Sequence, residues 1–118
     1  MINEKLVDHW IQYQLKSRLN SADSELFEWA ADEVMDLSIL NLEQCWQFIL
    51  SVISKTDDQW VLTNIGAGPI EDMLATDSEL TFSLIKNSLP NKELNFCITN
   101  VWQNLMSEST FKKVKKLI

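Results

Sequence analysis

Two adjacent carboxylates, Glu71 and Asp72, follow the two glycines of the chain, Gly66 and Gly68, and this segment is the one best suited to chemistry. A glycine-rich turn after an apolar run is typical of dinucleotide-binding loops, in which a third small residue lets a helix pack closely on a strand. Here the third position is Glu71, which is bulky and would repel a pyrophosphate. The segment therefore argues against dinucleotide binding.

The two carboxylates could also serve as a general acid and base, or as ligands of a metal ion. Adjacent residues do not share a helix face, so Glu71 would need a second carboxylate from elsewhere in the chain. A hydrolase-like or metal-dependent enzyme that uses Glu71 and Asp72 is thus an alternative hypothesis. The sequence contains no complete catalytic motif, and we expect no cofactor and no bound metal.

The thiols and the imidazole offer little further chemistry. Cys45 and Cys97 are the two cysteines, and each falls on the apolar side of a predicted helix. We expect two buried free thiols, because a zinc site needs more ligands and His9 is the single histidine. We expect His9 to be structural or exposed rather than catalytic.

A structural role explains residues 60–74 better. Gly66 fits the left-handed position just past a short helix, Gly68 fits a helix N-cap, and Pro69 fits the first position of the next helix. Glu71 then lies in the first turn, where its charge meets free N–H groups and the positive end of the helix dipole. We predict a sharp helix–helix corner at which the glycines let two backbones approach closely. Its structural residues are Gly66, Gly68, Pro69, Glu71 and Asp72.

Apolar residues recur at helical spacing along the whole chain, and no alternating strand pattern competes with them. The 118 residues are enough for one domain with one core. We predict an all-α fold, a single compact domain over residues 1–118 with about seven or eight short antiparallel helices. A short superhelical array is one arrangement of such helices. The main predicted helices cover residues 3–18, 24–37, 60–65, 76–89 and 91–106, and two more begin at residue 41 and at about residue 108.

Three residue pairs have the spacing of a self-capping helix start. They are Asn41 with Gln44, Thr56 with Gln59, and Thr76 with Glu79. Within the predicted helices, Met35 is expected to face inward, and Trp102 and Leu105 are expected on an apolar stripe. Most of the five tryptophans should be core residues, and Trp29 is the one predicted to be partly exposed.

The net charge of −7 is unevenly distributed. Residues 1–80 hold four basic and fifteen acidic residues, whereas residues 81–118 hold six basic and two acidic ones. This balance opposes general nucleic-acid binding and favours a basic protein partner. The second predicted helix has an acidic face that is either a binding surface or simply solvated. The candidate partner-binding residues are Asp23, Glu25, Glu28, Trp29, Asp32, Glu33 and Asp36.

Three segments together resemble a bacterial family of small helical domains of unknown function. These are Cys45-Trp46 with Ile49-Leu50, the run from Gly66 to Leu74, and Val101-Trp102. In that family a tryptophan-bearing helix precedes a Gly-Pro-Leu-Glu-Asp-Leu-Leu-like corner, and a Val-Trp pair follows. The resemblance spans residues 42–118. It implies a bacterial origin and an all-helical fold, and it implies no activity.

We therefore hypothesise a non-enzymatic protein-binding module, an immunity protein or inhibitor that neutralises a basic bacterial effector through its acidic face. The link to immunity proteins is an analogy at the level of the fold. A further alternative is an acidic mimic of nucleic acid, which the lysines near the C-terminus disfavour. We expect a cytoplasmic protein that binds neither membrane nor nucleic acid, because the sequence has no signal peptide and no membrane-spanning apolar run.

Overall fold

The computed structural model describes residues 3–118, which fold into short helices with no strand among them. The α-helices are α1 (Glu4–Arg18), α2 (Glu28–Leu40), α3 (Leu42–Lys55), α4 (Gln59–Ile65), α5 (Glu71–Thr76), α6 (Ser78–Ser88), α7 (Lys92–Thr99) and α8 (Glu108–Lys115). A 3₁₀ helix, Ala22–Phe27, precedes α2, and a π-helical turn, Gly66–Ile70, joins α4 to α5. The predicted all-α class is confirmed. The radius of gyration of 13.5 Å is that of a compact domain of this length.

Most of these elements begin at a polar side chain that accepts a hydrogen bond from a free N–H of the first turn. The capping residues are Asn3, Ser21, Asn41, Asp58, Asp77, Asn91 and Ser107. The predicted start of α3 is confirmed, since the Gln44 N–H donates to Asn41 Oδ1 at 3.2 Å. Of the helices in the described part of the chain, none is long and apolar enough to cross a membrane.

The predicted caps Thr56 and Thr76 are wrong. Asp58 caps α4 instead, and the Thr56 hydroxyl accepts from the Asp58 N–H at 3.1 Å, outside the helix. Asp77 caps α6, while the Thr76 hydroxyl donates back into α5, to the carbonyl oxygen of Asp72 at 2.8 Å. Both threonine hydroxyls are thus engaged with neighbouring backbone, and an aspartate one or two residues later takes the capping position.

The predicted corner is also wrong, because the chain follows one helical path from α4 through the π-helical turn into α5. Gly66 has φ −66° and ψ −48°, and neither glycine has a positive φ. Pro69 lies inside the π-helical turn. A proline has no N–H to donate, and in a regular α-helix its ring collides with the carbonyl four residues earlier. The wider turn accommodates Pro69 without ending the helix. Gly66 is therefore not a left-handed cap, Gly68 is not an N-cap, and Pro69 does not start a new helix.

The two glycines differ in what surrounds them. A Cβ on Gly66 would lie 2.0 Å from the carbonyl oxygen of Cys97 in α7, so only glycine allows these two backbones to approach. A Cβ on Gly68 would meet no atom within 4 Å. The expected role of the glycines in close backbone approach thus holds for Gly66 and not for Gly68.

The core is built around α3, which has the broadest buried face. Its buried residues are Cys45, Trp46, Phe48, Ile49, Val52 and Ile53. Trp10 of α1 packs edge-on against Phe48, with 5.5 Å between the ring centroids. The Trp46 indole donates to the Ser88 hydroxyl of α6 at 3.3 Å. These contacts fix α1 and α6 to α3.

The helices predicted over 24–37 and over 91–106 differ from the observed ones. The former begins as the 3₁₀ helix and continues to Leu40, and Met35, which was expected inside, has 57% of its surface exposed. The buried row of α2 is Ala30, Val34 and Ser38, and it leaves Met35 at the rim.

The helix predicted over 91–106 ends at Thr99. There the Lys115 ammonium donates to the carbonyl oxygens of Ile98 and Thr99, at 3.0 Å each, and so caps the C-terminus of α7. Trp102 and Leu105 consequently lie in the connection to α8, where they are 69% and 81% exposed. Their predicted place on the apolar stripe is wrong.

Candidate functional site

The candidate partner-binding residues lie on α2 and on the 3₁₀ helix that precedes it. All of them are exposed, namely Asp23, Glu25, Glu28, Trp29, Asp32, Glu33 and Asp36. Among the described residues, none of the six carboxylates joins a salt bridge, although Lys55 bridges Glu4 and Asp8 on the other side of α1 and Arg18 pairs with Asp58. The Lys5 ammonium of α1 lies over the Trp29 ring, 5.9 Å from its centroid, but it forms no salt bridge with these carboxylates.

Large apolar side chains interrupt the acidic surface of α2. At 3.6 residues per turn, Asp32 and Asp36 form one row, Met35 and Ile39 lie beside it, and Trp29 lies on its opposite side. Met35 and Ile39 are more than half exposed, and Trp29 is 40% exposed. We call this combination of acidic and apolar residues on α2 the acidic–apolar face. Its members are Glu28, Trp29, Asp32, Glu33, Met35, Asp36, Ile39 and Leu40.

The orientation of Trp29 is fixed by His9 of α1. The Trp29 indole N–H donates to His9 Nδ1 at 3.0 Å, and the two rings meet edge-on with centroids 5.5 Å apart. The His9 ring also packs edge-on against Phe27, at 5.1 Å. Because Nδ1 accepts this hydrogen bond, a neutral His9 carries its proton on Nε2. His9 thus has a structural role, and it holds a half-exposed tryptophan in one position.

Glu71 lies in the first turn of α5 as predicted, but it is buried and its side chain caps no N–H of that turn. Its Oε2 accepts a hydrogen bond from the backbone N–H of Trp102 at 3.1 Å. Burial raises the pKa of the Glu71 carboxyl, and the Trp102 N–H and the Lys115 charge partly oppose that rise. Burial also lowers the pKa of Lys115, and Glu71 opposes this change. Glu71 therefore anchors the connection between α7 and α8.

Asp72 faces a different neighbourhood from Glu71. Its half-buried side chain lines an open groove that also contains Trp10 of α1 and Met35 of α2. Burial raises the pKa of the Asp72 carboxyl. The two adjacent carboxylates thus point to separate parts of the molecule, and they do not converge on one cavity as an acid–base or metal-binding pair would.

The other residues considered for chemistry are enclosed in the core. Cys45 and Cys97 are buried free thiols, as predicted, and burial raises the pKa of each to about 12. A thiol with such a pKa forms very little of the nucleophilic thiolate at neutral pH. Within residues 3–118, no three histidine, cysteine, aspartate or glutamate side chains come together in a way that could hold a metal ion.

The sequence pattern missed part of the exposed surface. Met35, Ile39 and Leu40 lie on the same helix as the candidate acidic residues, and Ile39 and Leu40 extend beyond the predicted helix end at 37. The sequence did contain a signal for this surface, because Ile39 and Leu40 are apolar although they lie beyond the predicted end of the helix. Trp29 is partly exposed as predicted, but Trp60 is equally exposed and Trp102 is more so. The indole N–H of Trp60 donates to the carbonyl oxygen of Gln14 at 2.9 Å, which attaches it to α1.

Comparison with protein-family models matches residues 17–118 to a family of unknown function, DUF6869. The match covers most of the chain, so the protein belongs to this family. The matched range begins near the end of α1 and includes residues 42–118, over which the sequence resembles a family of small helical domains of unknown function. No curated protein and no solved structure matches the chain.

Proposed function

We propose that this DUF6869 protein is a non-enzymatic binding module that neutralises a basic protein, as an immunity protein or inhibitor does, through the acidic–apolar face of α2. The observation that carries the proposal is the presence on one helix of exposed apolar side chains and of carboxylates that join no salt bridge within residues 3–118. A face that was only solvated would not need Trp29, Met35 and Ile39 among its charges.

Each part of the face supports the proposal in its own way. The carboxylates would attract a basic partner and speed its association, and this effect weakens with salt. Trp29 would supply affinity as an aromatic anchor, since tryptophan is enriched among residues that dominate binding energy. Because His9 already holds the indole in place, little side-chain freedom remains to be lost on binding.

The acidic residues also cost stability, which favours a role in binding. Asp32 and Asp36 are one turn apart, and like charges at this spacing destabilise a helix by about 0.2–0.5 kcal/mol per pair. Asp36 lies near the C-terminus of α2, where the helix dipole also disfavours a negative charge. Residues that reduce stability and make no stabilising contact in the fold are expected at functional surfaces.

A capture experiment with matched variants tests the proposal. The face variant carries Asp32→Asn, Glu33→Gln and Asp36→Asn, and the control variant carries Glu43→Gln, Asp57→Asn and Glu79→Gln, which remove three exposed carboxylates elsewhere. We expect wild type and control to capture a basic protein from bacterial lysate or culture medium at low salt. The face variant should not capture it. A captured protein that the face variant retains equally, or no captured protein at all, would overturn the proposal.

A bacterial origin, which rests on the sequence resemblance, is part of the same proposal, and so is the cytoplasmic location expected from the sequence. The wild-type capture with lysate and medium from a bacterium that encodes the chain also tests them. If the captured partner is a secreted basic protein of that bacterium, the cytoplasmic module would protect the producing cell from its own effector.

A further inference from the structure

An open groove of about 180 Å³ lies between α1, α2 and the π-helical turn, beside the acidic–apolar face. Its walls are partly apolar, from Trp10, Val34, Met35 and Pro69, and partly polar, from Gln14, Asn64 and Asp72. Since water in the liquid occupies about 30 Å³ per molecule, the groove has room for about six waters or one long side chain. It is therefore a side-chain-sized recess next to the proposed binding surface.

Asp72 is the one ionisable side chain among the residues that line the groove. Its carboxylate makes no hydrogen bond and no salt bridge with any residue in 3–118. Gln14 and Asn64 add amide groups to the lining, and the Asn64 amide nitrogen already donates to the carbonyl oxygen of Trp60. Acceptor oxygens of Asp72 and Asn64 thus remain available, and no basic residue within 3–118 lines the groove.

We propose that this groove receives an arginine side chain of the basic partner, with the guanidinium paired to Asp72 and the aliphatic stem against the exposed side chain of Met35. This inference rests on the proposed function and identifies the chemistry of the partner. Arginine fits better than lysine, because a planar guanidinium has five N–H donors and pairs a carboxylate through two of them, which leaves donors for the amide oxygens.

The π-helical turn explains why the recess is open. Gly68 faces it without a side chain, and an added Cβ there would meet nothing within 4 Å. A larger residue at position 68 would therefore occupy the groove without displacing backbone. Gly68 is thus a position at which the groove can be closed by substitution while the core stays intact.

The groove can be tested without the partner. Heteronuclear NMR would follow titration of the isotope-labelled protein with Nα-acetyl-arginine amide, and with the equivalent derivatives of lysine and of citrulline, which is uncharged. For the arginine probe we expect saturable shifts at the Gly68 amide and the Trp10 indole. The lysine probe should bind more weakly, and the citrulline probe should cause no saturable shift there.

Two variants and one control identify the binding determinants. Asp72→Asn should weaken the arginine probe about tenfold, the loss expected for a charge-assisted hydrogen bond. Gly68→Leu should abolish its shifts in the groove, and Glu79→Gln should change nothing. Circular dichroism confirms that each variant is folded. Absence of saturable shifts in the wild type, or equal binding by Asp72→Asn, would overturn the groove proposal.

The outcomes separate this inference from the proposed function. A captured partner could bind the face variant more weakly than wild type but bind Asp72→Asn and Gly68→Leu as tightly as wild type. In that case the groove proposal fails and the proposed function stands. If the arginine probe binds as expected but no partner depends on the acidic–apolar face, the proposed function fails instead.

Discussion

The carboxylate of Glu71 accepts a hydrogen bond from the backbone N–H of Trp102 at 3.1 Å. This contact joins the start of α5 to the connection between α7 and α8, across 31 positions of sequence. It also joins two of the three segments on which the sequence resemblance depended. The hydrogen bond gives a physical reason for a glutamate at position 71 and for the position of the backbone at Trp102.

The Glu71 contact predicts a difference between two substitutions. Glu71→Ala leaves the Trp102 N–H without its acceptor and should destabilise the protein by about 1–3 kcal/mol. Glu71→Gln keeps an acceptor oxygen and removes a charge that burial disfavours, so it should cost much less. Urea unfolding at neutral pH measures both. Equal destabilisation by the two substitutions would show that the hydrogen bond does not stabilise the connection.

The glycines of the π-helical turn predict opposite effects. Gly66→Ala places a methyl group 2.0 Å from the Cys97 carbonyl and should destabilise the protein by about 1–3 kcal/mol, the usual cost of overpacking. Gly68→Ala meets open space in a helical backbone and should stabilise it by about 0.4–1 kcal/mol. The midpoints of thermal unfolding should therefore move in opposite directions. A stabilised Gly66→Ala variant would contradict the close approach of the π-helical turn to α7.

The fold class could be predicted because helical periodicity is local, and the stripe of α3 appears in the sequence much as it is buried in the structure. The corner could not, because Gly66-Ala67-Gly68-Pro69 looks like a helix break when only local propensity is considered. A π-helical turn that accommodates Pro69, and the contact of Gly66 with Cys97, depend on the tertiary position of α7. Trp102 was mispredicted for the same reason. The helical spacing of apolar residues continues to Trp102 in the sequence, but α7 ends at Thr99, where Lys115 from α8 caps it.

The candidate binding residues were accessible to sequence reasoning only as a run of charge on a helix. Their exposure and lack of salt bridges come from the structure, as does the presence of Met35 and Ile39 beside them. The groove was not predictable, because Trp10, Met35 and Asp72 are distant in sequence and meet only in the packed domain.

The raised pKa of Asp72 predicts a pH-dependent substitution effect. Because the folded protein binds this proton more readily than the unfolded chain does, ionisation of Asp72 reduces stability as the pH rises above its ordinary pKa of about 3.9. Asp72→Asn should therefore stabilise the protein at neutral pH, and the gain should disappear as the pH falls towards that ordinary value. Urea unfolding at about pH 7 and about pH 4 measures the difference. A gain that is the same at both pH values would contradict the effect of burial on Asp72.

The like charges of α2 predict a gain in stability when they are removed. Asp32→Asn with Asp36→Asn should stabilise the isolated protein by roughly 0.2–0.5 kcal/mol for the pair, more clearly at low salt than at high salt. Chemical unfolding measures this gain, with Asp57→Asn, which removes an exposed carboxylate outside any helix, as the control. A loss of stability in the α2 variant would mean that these carboxylates make structural contributions, which would weaken the argument for a binding face.

The affinity of the captured basic partner for the acidic–apolar face tests the central claim most directly. Calorimetric titration of that partner into wild type, the face variant and the control variant should be made at about 0.05 M and about 0.5 M salt. We predict that the face variant binds at least about tenfold more weakly at low salt, that the difference shrinks at high salt, and that the control matches wild type. Equal affinities for the face variant and wild type at low salt would contradict the account.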